Sequence, residues 1–408
     1  MNDIVFQPKL ESPGVREEGP CVLQVIPALK EGGAERGTVD VARHLVGRGW
    51  RAVVASAGGP LEDELAAVGA HHITLPLDRK NPFAIRRNTG RLYRVIREHG
   101  VDLVHARSRA PAWSAYYAAK RAGVPFVTTF HGVYEGSQRW LKRRYNAIMA
   151  KGERVIAVSD YVADHVRERY GVPKPQLKVI HRGVDLDRFN PMAVSEDRVQ
   201  ALAERWRVPA GAAVIMLPGR VTRIKGHIHL LRAIERVTRP NLICLFVGSI
   251  PPRAAYSDEV EGLIGAMGLR DTVRMVGSCD DMPAAMLLAD IVVVPSTGPE
   301  AFGRVSVEAQ AMGKPVIVAD VGGLGETLMP AATGWIVPPA EPRALAEALT
   351  LALDMAPDAR ARLAQRARRF VMRHFGADQM GRRTLAVYRE VLGEAAPVEA
   401  EVFALAAD

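Results

Sequence analysis

Residues 291–308 read IVVVPSTGPEAFGRVSVE and join a continuous apolar run to a helical pattern. The run Ile291–Val294 stops at Pro295, and its composition predicts a strand buried on both faces of a parallel sheet. The helical pattern continues to Met312 and ends at Gly313, a residue type common at helix C-termini. This stretch therefore predicts a strand–loop–helix unit of an α/β fold.

Two glutamates lie eight positions apart in this unit, Glu300 in the loop and Glu308 about one turn into the helix. Ligands of open α/β sheets bind at the carboxyl ends of the strands, where this loop is predicted to lie. A loop carboxylate can accept hydrogen bonds from the hydroxyls of a sugar, and a helix carboxylate can accept them from a ribose. Backbone amides at the helix N-terminus, free for ligand oxygens, belong to Ala301, Phe302, Gly303 and Arg304.

Apolar runs separated by helical patterns continue along the whole chain, which predicts two doubly wound parallel sheets. The predicted strands of the first half are residues 22–26, 51–55, 72–75, 102–105, 125–130, 154–158 and 178–180. Those of the second half are residues 213–217, 242–247, 273–276, 291–294, 315–318 and 335–337.

A weak apolar pattern with two prolines over residues 188–210 predicts the domain boundary. We expect a poorly ordered tail at 1–20, a first domain at 21–190 and a second domain at 191–375. Residues 376–408 hold a last helix and a second tail. The polar N-terminus lacks the apolar core of a secretory signal, so the sequence predicts a cytoplasmic protein.

The composition is that of an ordinary globular protein, with 48% apolar and 24% charged residues among 408. Three widely spaced cysteines show no metal-ligand spacing and predict reduced thiols. The net charge of +9 is uneven, because residues 1–190 carry 30 Lys and Arg against 20 Asp and Glu, and the rest carry 24 against 25. A basic first half favours an anionic surface or acceptor there, although a basic soluble protein explains it equally well.

A second motif, PGRVTRIKG at residues 218–226, follows the first predicted strand of the second domain. Gly219 permits a tight turn close to a ligand. Arg220 and Lys225 place two cations beside a helix N-terminus, a combination that suits a diphosphate.

These two motifs resemble the Glu-x7-Glu and Gly-Arg-x4-Lys-Gly elements of the family 4 retaining glycosyltransferases. The resemblance covers the chain from Gly32 to about Leu392. It implies the GT-B fold, in which two Rossmann-like domains face a cleft and a C-terminal helix crosses back to the first domain. It also implies that Arg220 and Lys225 hold the donor's diphosphate, while Glu300 binds sugar hydroxyls and Glu308 binds the ribose.

Three weaker elements are similar to the same family. The loop at Gly32 and Gly33 is similar to one that borders the donor phosphates and the acceptor, and His131 matches a histidine near the donor sugar. The pattern Gly322-Gly323-x-x-Glu326 is similar to one that lines the donor pocket. Arg304 departs from the family, which often has an aliphatic residue there, and leaves the choice of donor open.

The spelling Asp185-Leu186-Asp187 is that of a metal-binding Asp-x-Asp, but its context resembles the interdomain Asn-Gly-Val-Asp element of the family. We interpret it as structural, so that Arg220 and Lys225 would do the electrostatic work of a metal. The sequence thus predicts an enzyme without a metal or another cofactor.

The acceptor side is less specific. Arg107 and Arg109 follow a predicted strand and either bind an anionic acceptor or cover the loop. Two basic helices with aromatic residues either lie on anionic lipid or present solvated charges. The first carries the arginines at 86, 87, 91, 94 and 97, and the second carries Arg139, Trp140, Lys142, Arg143, Arg144 and Lys151.

The resemblance and the charge together predict a retaining, metal-independent glycosyltransferase. It would move a hexose-type sugar from a nucleoside-diphosphate sugar to a lipid-linked or envelope glycan acceptor, such as lipopolysaccharide core, at the inner face of the cytoplasmic membrane. A sugar-nucleotide 2-epimerase of the same fold and a nucleotide-binding module without turnover are the alternatives. A nucleic-acid binder would explain the charge, but no RNA-binding signature is present.

Overall fold

The computed structural model describes residues 19–30, 32–134, 140–250 and 255–394. Most of the predicted N-terminal tail, the end of the predicted C-terminal tail, Glu31 and Arg139 lie outside these residues.

A seven-stranded parallel sheet forms the first domain, with the strand order β3-β2-β1-β4-β5-β6-β7. Every run predicted as a strand in the first half is one, to within about two residues at either end. The strands are β1 (Cys21–Val25), β2 (Arg51–Ser56), β3 (His71–Thr74), β4 (Leu103–Ala106), β5 (Phe126–Phe130), β6 (Arg154–Ala157) and β7 (Leu177–Val179).

Helices cover both faces of this sheet, as the apolar character of its inner strands requires. They are α1 (Gly33–Val46), α2 (Glu62–Ala67), α3 (Pro82–Glu98), α4 (Arg109–Ala122), α5 (Trp140–Asn146) and α6 (Asp160–Tyr170). Two of them begin at side-chain caps, since Asn81 accepts the amide of Ala84 and Ser159 accepts the amide of Val162.

The second domain is built on a six-stranded parallel sheet with the order β10-β9-β8-β11-β12-β13. Its strands are β8 (Ala213–Pro218), β9 (Leu242–Val247), β10 (Val273–Gly277), β11 (Ile291–Val294), β12 (Val316–Ala319) and β13 (Gly334–Val337). Its helices are α7 (Glu196–Arg205), α8 (His227–Ile234), α9 (Ala255–Ala266), α10 (Met282–Leu288), α11 (Arg304–Ala311), α12 (Pro342–Leu353) and α13 (Pro357–His374). The two Rossmann-like sheets confirm the predicted fold class.

The strand order reverses between β1 and β4 in the first sheet and between β8 and β11 in the second. Loops at such a reversal diverge and leave a crevice at the carboxyl ends of the strands. The Gly32-Gly33 loop follows β1, and the two motifs of the second domain follow β8 and β11. The topology therefore brings the predicted motifs to the two reversal points.

The last helix, α14 (Ala377–Leu392), crosses back and packs along α1 of the first domain. Tyr388 is fully buried there, and its hydroxyl lies 2.6 Å from Nδ1 of His105 on β4. Gly381 permits the approach, because a Cβ at this position would lie 2.4 Å from Cγ of His44. The predicted return of the C-terminal helix is confirmed.

Within the described ranges, no helix is both long enough and apolar enough to cross a membrane.

Candidate active site

The first cluster of the candidate site joins the two motifs of the second domain. Lys225 donates to Oε1 of Glu300 over 2.5 Å, and Ser296 donates to the same oxygen over 2.8 Å. Both partners of the ion pair are about one-fifth exposed. The pair therefore faces the cleft with enough solvent access to exchange partners with a ligand.

Backbone geometry explains why the loop carries glycines. Gly226 has φ +76°, and a Cβ there would lie 1.9 Å from the carbonyl oxygen of Pro295. Gly219 has φ +150°, and its open side is covered by the Lys225 stem at 3.4 Å. Among the described residues, the exposed guanidinium of Arg220 has no ion-pair or hydrogen-bond partner, so it is free for an anion.

The second cluster lies one helical turn further along. Arg304 opens α11 and contacts Glu308 across one turn, with Nη2 3.2 Å from Oε1. Burial raises the pKa of the Glu308 carboxyl, and the positive charge of Arg304 acts against this shift. Glu308 is thus largely buried and contacts Arg304, and the charges of Arg188 and Arg36 also act to lower its pKa.

The loop between the two glutamates has a structural role as well. Phe302 is buried and packs against the rings of His181 and Phe375, with centroids 5.7 and 5.4 Å away. Its side chain anchors the loop between the domains, which leaves only the backbone for a ligand. Ala301 contributes its carbonyl to the closure described below, and Gly303 adopts φ +105°, which lets α11 start in this position.

The first domain supplies Gly32, Gly33 and His131 to the opposite wall. Gly32 is the extended residue before α1, which starts at Gly33. His131 follows β5, and neither of its ring nitrogens has a hydrogen-bond partner within the described part of the chain. Burial and then the charge of Arg182 lower the pKa of His131 well below its usual value, so the imidazole is neutral and can bind a ligand hydroxyl.

The structure separates Arg107 from Arg109. Arg107 is only 5% exposed and donates to Oε1 of Gln24 on β1, so it lies on the floor of the cleft. Arg109 opens α4, donates to Asn146 and stacks 4.0 Å above the ring of Tyr134. The alternatives left open for the pair thus divide: Arg109 packs against its own domain, whereas Arg107 faces the gap.

Sequence reasoning missed two residues of this wall. Arg182 donates to the carbonyl of His131 over 3.1 Å. Asp40 of α1 lines a small cavity together with Arg182 and His131. Arg182 could have been found from its position in the interdomain element before Asp185, where the family has asparagine. The signal for Asp40 was a carboxylate between the apolar Val39 and Val41 of a buried helix.

Glu326 caps a helix of the first domain, a role that differs from its predicted place in the donor pocket. Its two oxygens accept the backbone amides of Asp160 and Tyr161 over 2.8 Å each, at the N-terminus of α6. Ser159, the cap of that helix, donates to the carbonyl of Ala301 over 2.6 Å. These contacts join the domains, and we call Ser159, Glu326 and the two amides the interdomain clasp.

The clasp also explains why three possible metal ligands lie close together. Asp160, His181 and Glu326 place one ligand atom each within 4.8 Å of one another. Both oxygens of Glu326 already accept amide hydrogens, and His181 lies 3.2 Å from one of them. This arrangement is that of a helix cap with an adjacent histidine.

Two family descriptions match successive parts of the chain. Glycosyltransferase Family 4 matches residues 31–188, and Glycosyl transferases group 1 matches residues 199–370. The chain belongs to the family 4 glycosyltransferases. The predicted family and the predicted enzyme class are confirmed.

Individual proteins agree with this assignment. A D-inositol 3-phosphate glycosyltransferase of Xylanimonas cellulosilytica is 34% identical over 312 residues, which are 71% of this chain and 72% of the relative. A solved glycosyltransferase of Rickettsia africae is 36% identical with a TM-score of 0.86, and the match covers 92% of this chain and 100% of that one. Anabaena HepE in complex with UDP has a TM-score of 0.80 at 23% identity over 91% of this chain and 100% of HepE, which shows the fold alone.

In this glycosyltransferase the Asp185 element closes a local turn. Oδ1 of Asp185 accepts the amides of Asp187 and Arg188 over 3.1 and 3.0 Å. Backbone bonds from Val184 to Phe375 and from Ala377 to Val184 join the same segment to the start of α14. These contacts agree with the structural interpretation of the element.

The basic helices present their charges to solvent. Trp140 and Leu141 of α5 are 64% and 65% exposed, and Phe83 of α3 is 83% exposed. Exposed basic residues accompany them on the same helices, namely Lys142, Arg143, Arg144, Arg86, Arg87, Arg94 and Arg97. Helix α4 lies between the two, because Ser114 donates to the carbonyl of Ile85 and Trp113 to that of Tyr145. The two helices therefore flank one surface of the first domain.

Proposed function

We propose that this glycosyltransferase moves a hexose-type sugar from a nucleoside-diphosphate sugar to an acceptor hydroxyl, with retention of configuration and without a metal. The donor would lie on the second domain, with its diphosphate at Arg220 and Lys225 and its ribose at Glu308. The acceptor would approach from the first domain, past His131. Anabaena HepE, a protein of the same fold, is known in complex with UDP, and this supports a nucleotide donor.

The observation that carries the proposal is the ion pair between Lys225 and Glu300 beside Arg220, which has no partner within the described part of the chain. A diphosphate arriving at this loop meets two cations, and Glu300 is released to accept sugar hydroxyls. As the bond between sugar and phosphate loosens, the cations stabilise the growing negative charge on the leaving group. The acceptor hydroxyl then attacks from the same face, and the departing phosphate takes its proton.

Closure of the cleft supports the reaction by excluding water. The interdomain clasp connects the Glu300 loop directly to the first domain, through the bond between Ser159 and Ala301. Closing the domains thus positions the donor loop and the acceptor wall in one step.

Nucleotide binding tests the proposal. The melting temperature of the full chain is measured with UDP-, GDP- and ADP-sugars in the presence of EDTA, and one base should stabilise the protein. Glu308→Ala should remove most of this stabilisation, because the ribose loses a charged acceptor. Glu347→Ala, at an exposed position of α12, is the matched control. Stabilisation that requires a divalent metal, or that survives Glu308→Ala, contradicts the assignment.

We further propose that the acceptor is a lipid-linked or envelope glycan, reached while the first domain contacts anionic lipid. The surface formed by α3 and α5 supports this, since it combines exposed basic residues with Phe83 and Trp140. Vesicles that contain phosphatidylserine should sediment the protein at low salt, and Phe83→Ser with Trp140→Ser should abolish this. Met192→Ser removes an 89% exposed apolar side chain of the second domain and serves as the control. Equal binding by all variants contradicts the membrane contact.

A further inference from the structure

A small cavity lies between the domains on the acceptor side. Its volume is about 20 Å³, and five of the residues around it are Gly33, Arg107, His131, Arg182 and Arg304. Three of these five residues carry guanidinium groups, and they come from both domains. A cavity of this volume holds one water-sized group.

Glycines of α1 make room for the arginines. A Cβ at Gly33 would lie 2.2 Å from Nη1 of Arg182 and 3.3 Å from Cδ of Arg304. A Cβ at Gly37, one turn later, would lie 3.1 Å from Nη2 of Arg107. The same face of one helix therefore lacks side chains at the two places where guanidinium groups approach it.

The positive charge in this cavity is only partly balanced. Among the described residues, no carboxylate lies within 4 Å of Arg107 or Arg182, whose hydrogen bonds go to neutral oxygens of Gln24 and His131. Arg304 contacts Glu308, but its Nε has no partner, and neither has Nε of Arg107. Burial, followed by the charges of Arg304 and Arg107, lowers the pKa of Arg182 to about 9, so the group is still charged near neutral pH.

Asp40, an acid beside the cavity, does not contact these three arginines, and its Oδ1 instead lies 3.5 Å from Nη1 of Arg43. Asp40 lines the cavity, and burial raises the pKa of its carboxyl to about 6 in spite of Arg304 and Arg43. Buried cations without an anionic partner are unfavourable, since their desolvation is not repaid. Guanidinium groups arranged around one cavity bind phosphate or carboxylate oxygens well, because they offer planar pairs of donors.

We infer that Arg107, Arg182 and Arg304 form a second anion subsite, which binds a phosphate or carboxylate group of a substrate across the domain interface. It is separate from the Arg220 and Lys225 loop, and it rests on the proposed transfer reaction for its place in a substrate complex. The closed cavity takes one oxygen of such a group, and the rest of the ligand extends into the cleft. The walls belong to different domains, so larger groups enter while the domains are apart.

Phosphate binding tests the subsite. Inorganic phosphate is titrated calorimetrically into the full chain in low-salt buffer, with wild type, Arg182→Gln, Arg304→Val, Arg220→Gln and Arg97→Gln compared. Arg182→Gln and Arg304→Val should weaken binding at least about tenfold, the loss of one charge-assisted contact. Arg97→Gln, which removes an exposed charge of α3, should change it less than about threefold. Arg220→Gln should weaken only phosphate binding at the diphosphate loop and leave binding at the subsite unchanged.

Phosphate affinity that is unchanged by Arg182→Gln and Arg304→Val, or lost only in Arg220→Gln, overturns the proposal. If Arg182→Gln does not fold, Arg304→Val still decides, since Arg304 lies at the cleft with its side chain 22% exposed. UDP binding is measured on the same proteins and on Glu308→Ala. We expect the affinity for UDP to depend on Glu308 and not on Arg182. Loss of the first dependence would then indicate a failure of the donor assignment, and this outcome is distinct from a failure of the subsite.

Matched ligand pairs identify the source of the anionic group. UDP-glucuronate is compared with UDP-glucose, and glucose 6-phosphate with glucose in the presence of UDP. Preference for the charged donor places the donor's sugar at the subsite, and preference for the charged sugar phosphate places the acceptor there. Either preference should disappear in Arg304→Val. No preference in either pair shows that the subsite plays no part in substrate binding and overturns the inference.

Discussion

The two walls of the cleft differ in how their positively charged side chains are paired. On the second-domain wall, Lys225 and Arg304 each contact a carboxylate, Glu300 or Glu308. On the first-domain wall, Arg107 and Arg182 donate to neutral oxygens, and the ring nitrogens of His131 have no hydrogen-bond partner among the described residues. Of the residues that the structure describes, the cations of the second-domain wall other than Arg220 are paired with carboxylates before a ligand arrives, and those of the first-domain wall are not.

This difference indicates how each wall meets its substrate. Balanced pairs can exchange partners with little cost, so the second-domain wall suits a donor that brings both hydroxyls and a diphosphate. An unbalanced, buried wall gains most from a ligand that supplies the missing anion.

The largest expected effect comes from Lys225→Ala on the balanced wall. Glu300 loses its cation and the diphosphate loses one of its two, so kcat should fall by about 10²–10³, or about 3–4 kcal/mol. Steady-state rates with the donor found in the nucleotide panel measure this. Arg223→Ala is the control, because that arginine pairs with Glu259 at the surface. A fall of less than about tenfold would mean that the pair does not serve the leaving group.

The second prediction concerns Asp40 on the unbalanced wall. The pKa of this carboxyl is about 6 in the folded protein, so it keeps its proton up to about pH 6, whereas the unfolded chain releases it near pH 3.8. Ionisation above that range therefore destabilises the fold, by up to about 3 kcal/mol. Asp40→Asn removes this penalty and should raise stability at about pH 8, with a gain that shrinks as the pH falls through 6 towards 4.

Urea unfolding of wild type and Asp40→Asn at several pH values measures the gain. Asp271→Asn, at an exposed turn of the second domain, is the control and should show no such trend. A gain that is independent of pH would show that Asp40 is already compensated by the surrounding arginines, and the first-domain wall would then be balanced after all.

The smallest effect is expected where the walls meet, at the interdomain clasp. Burial raises the pKa of Glu326, but hydrogen bonds from His181 and from the amides of Tyr161 and Asp160 outweigh it, so the net pKa is lowered. Its contribution to stability is therefore present above the unfolded pKa and is lost as the pH falls through the folded one. Glu326→Gln keeps one acceptor oxygen and should cost about 1 kcal/mol and raise KM for both substrates a few-fold.

Unfolding by urea and substrate titrations check this third prediction, with Glu347→Gln on the exposed face of α12 for comparison. Unchanged KM values combined with lower stability would restrict Glu326 to a structural cap. Unchanged stability would show that the contacts of Glu326 do not hold the two domains together.

Much of the fold was predictable because runs of apolar residues indicate which segments are buried. The strand at Ile291–Val294 was predicted at its observed bounds, and the return of α14 was expected from the family resemblance. The positions of Gly219 and Gly303 agree with the turns that the motifs require, since both have positive φ. The loop positions of Glu300 and Lys225 follow from strand ends, which a sequence reveals.

What the pattern did not reveal were contacts between distant segments. Lys225 and Glu300 are 75 positions apart, and their ion pair needs the β8–β11 reversal to exist. The two nearby arginines of the β4 loop looked equivalent, yet α4 begins at Arg109, so one points into the cleft and the other packs outside it. Glu326 lies three residues beyond a glycine pair, and only the position of α6 makes it a cap.

The sequence alone determined the family and the two parallel sheets and singled out the carboxylates and cations of the second-domain motifs, because apolar periodicity and short motifs are local properties of the chain. The tertiary structure alone decided which charges are balanced. Arg107, Arg182 and Arg304 come from three separate segments and two domains, and meet at the glycine face of α1. Electrostatic compensation depends on distance and desolvation in space, and neither quantity can be read from positions along a chain.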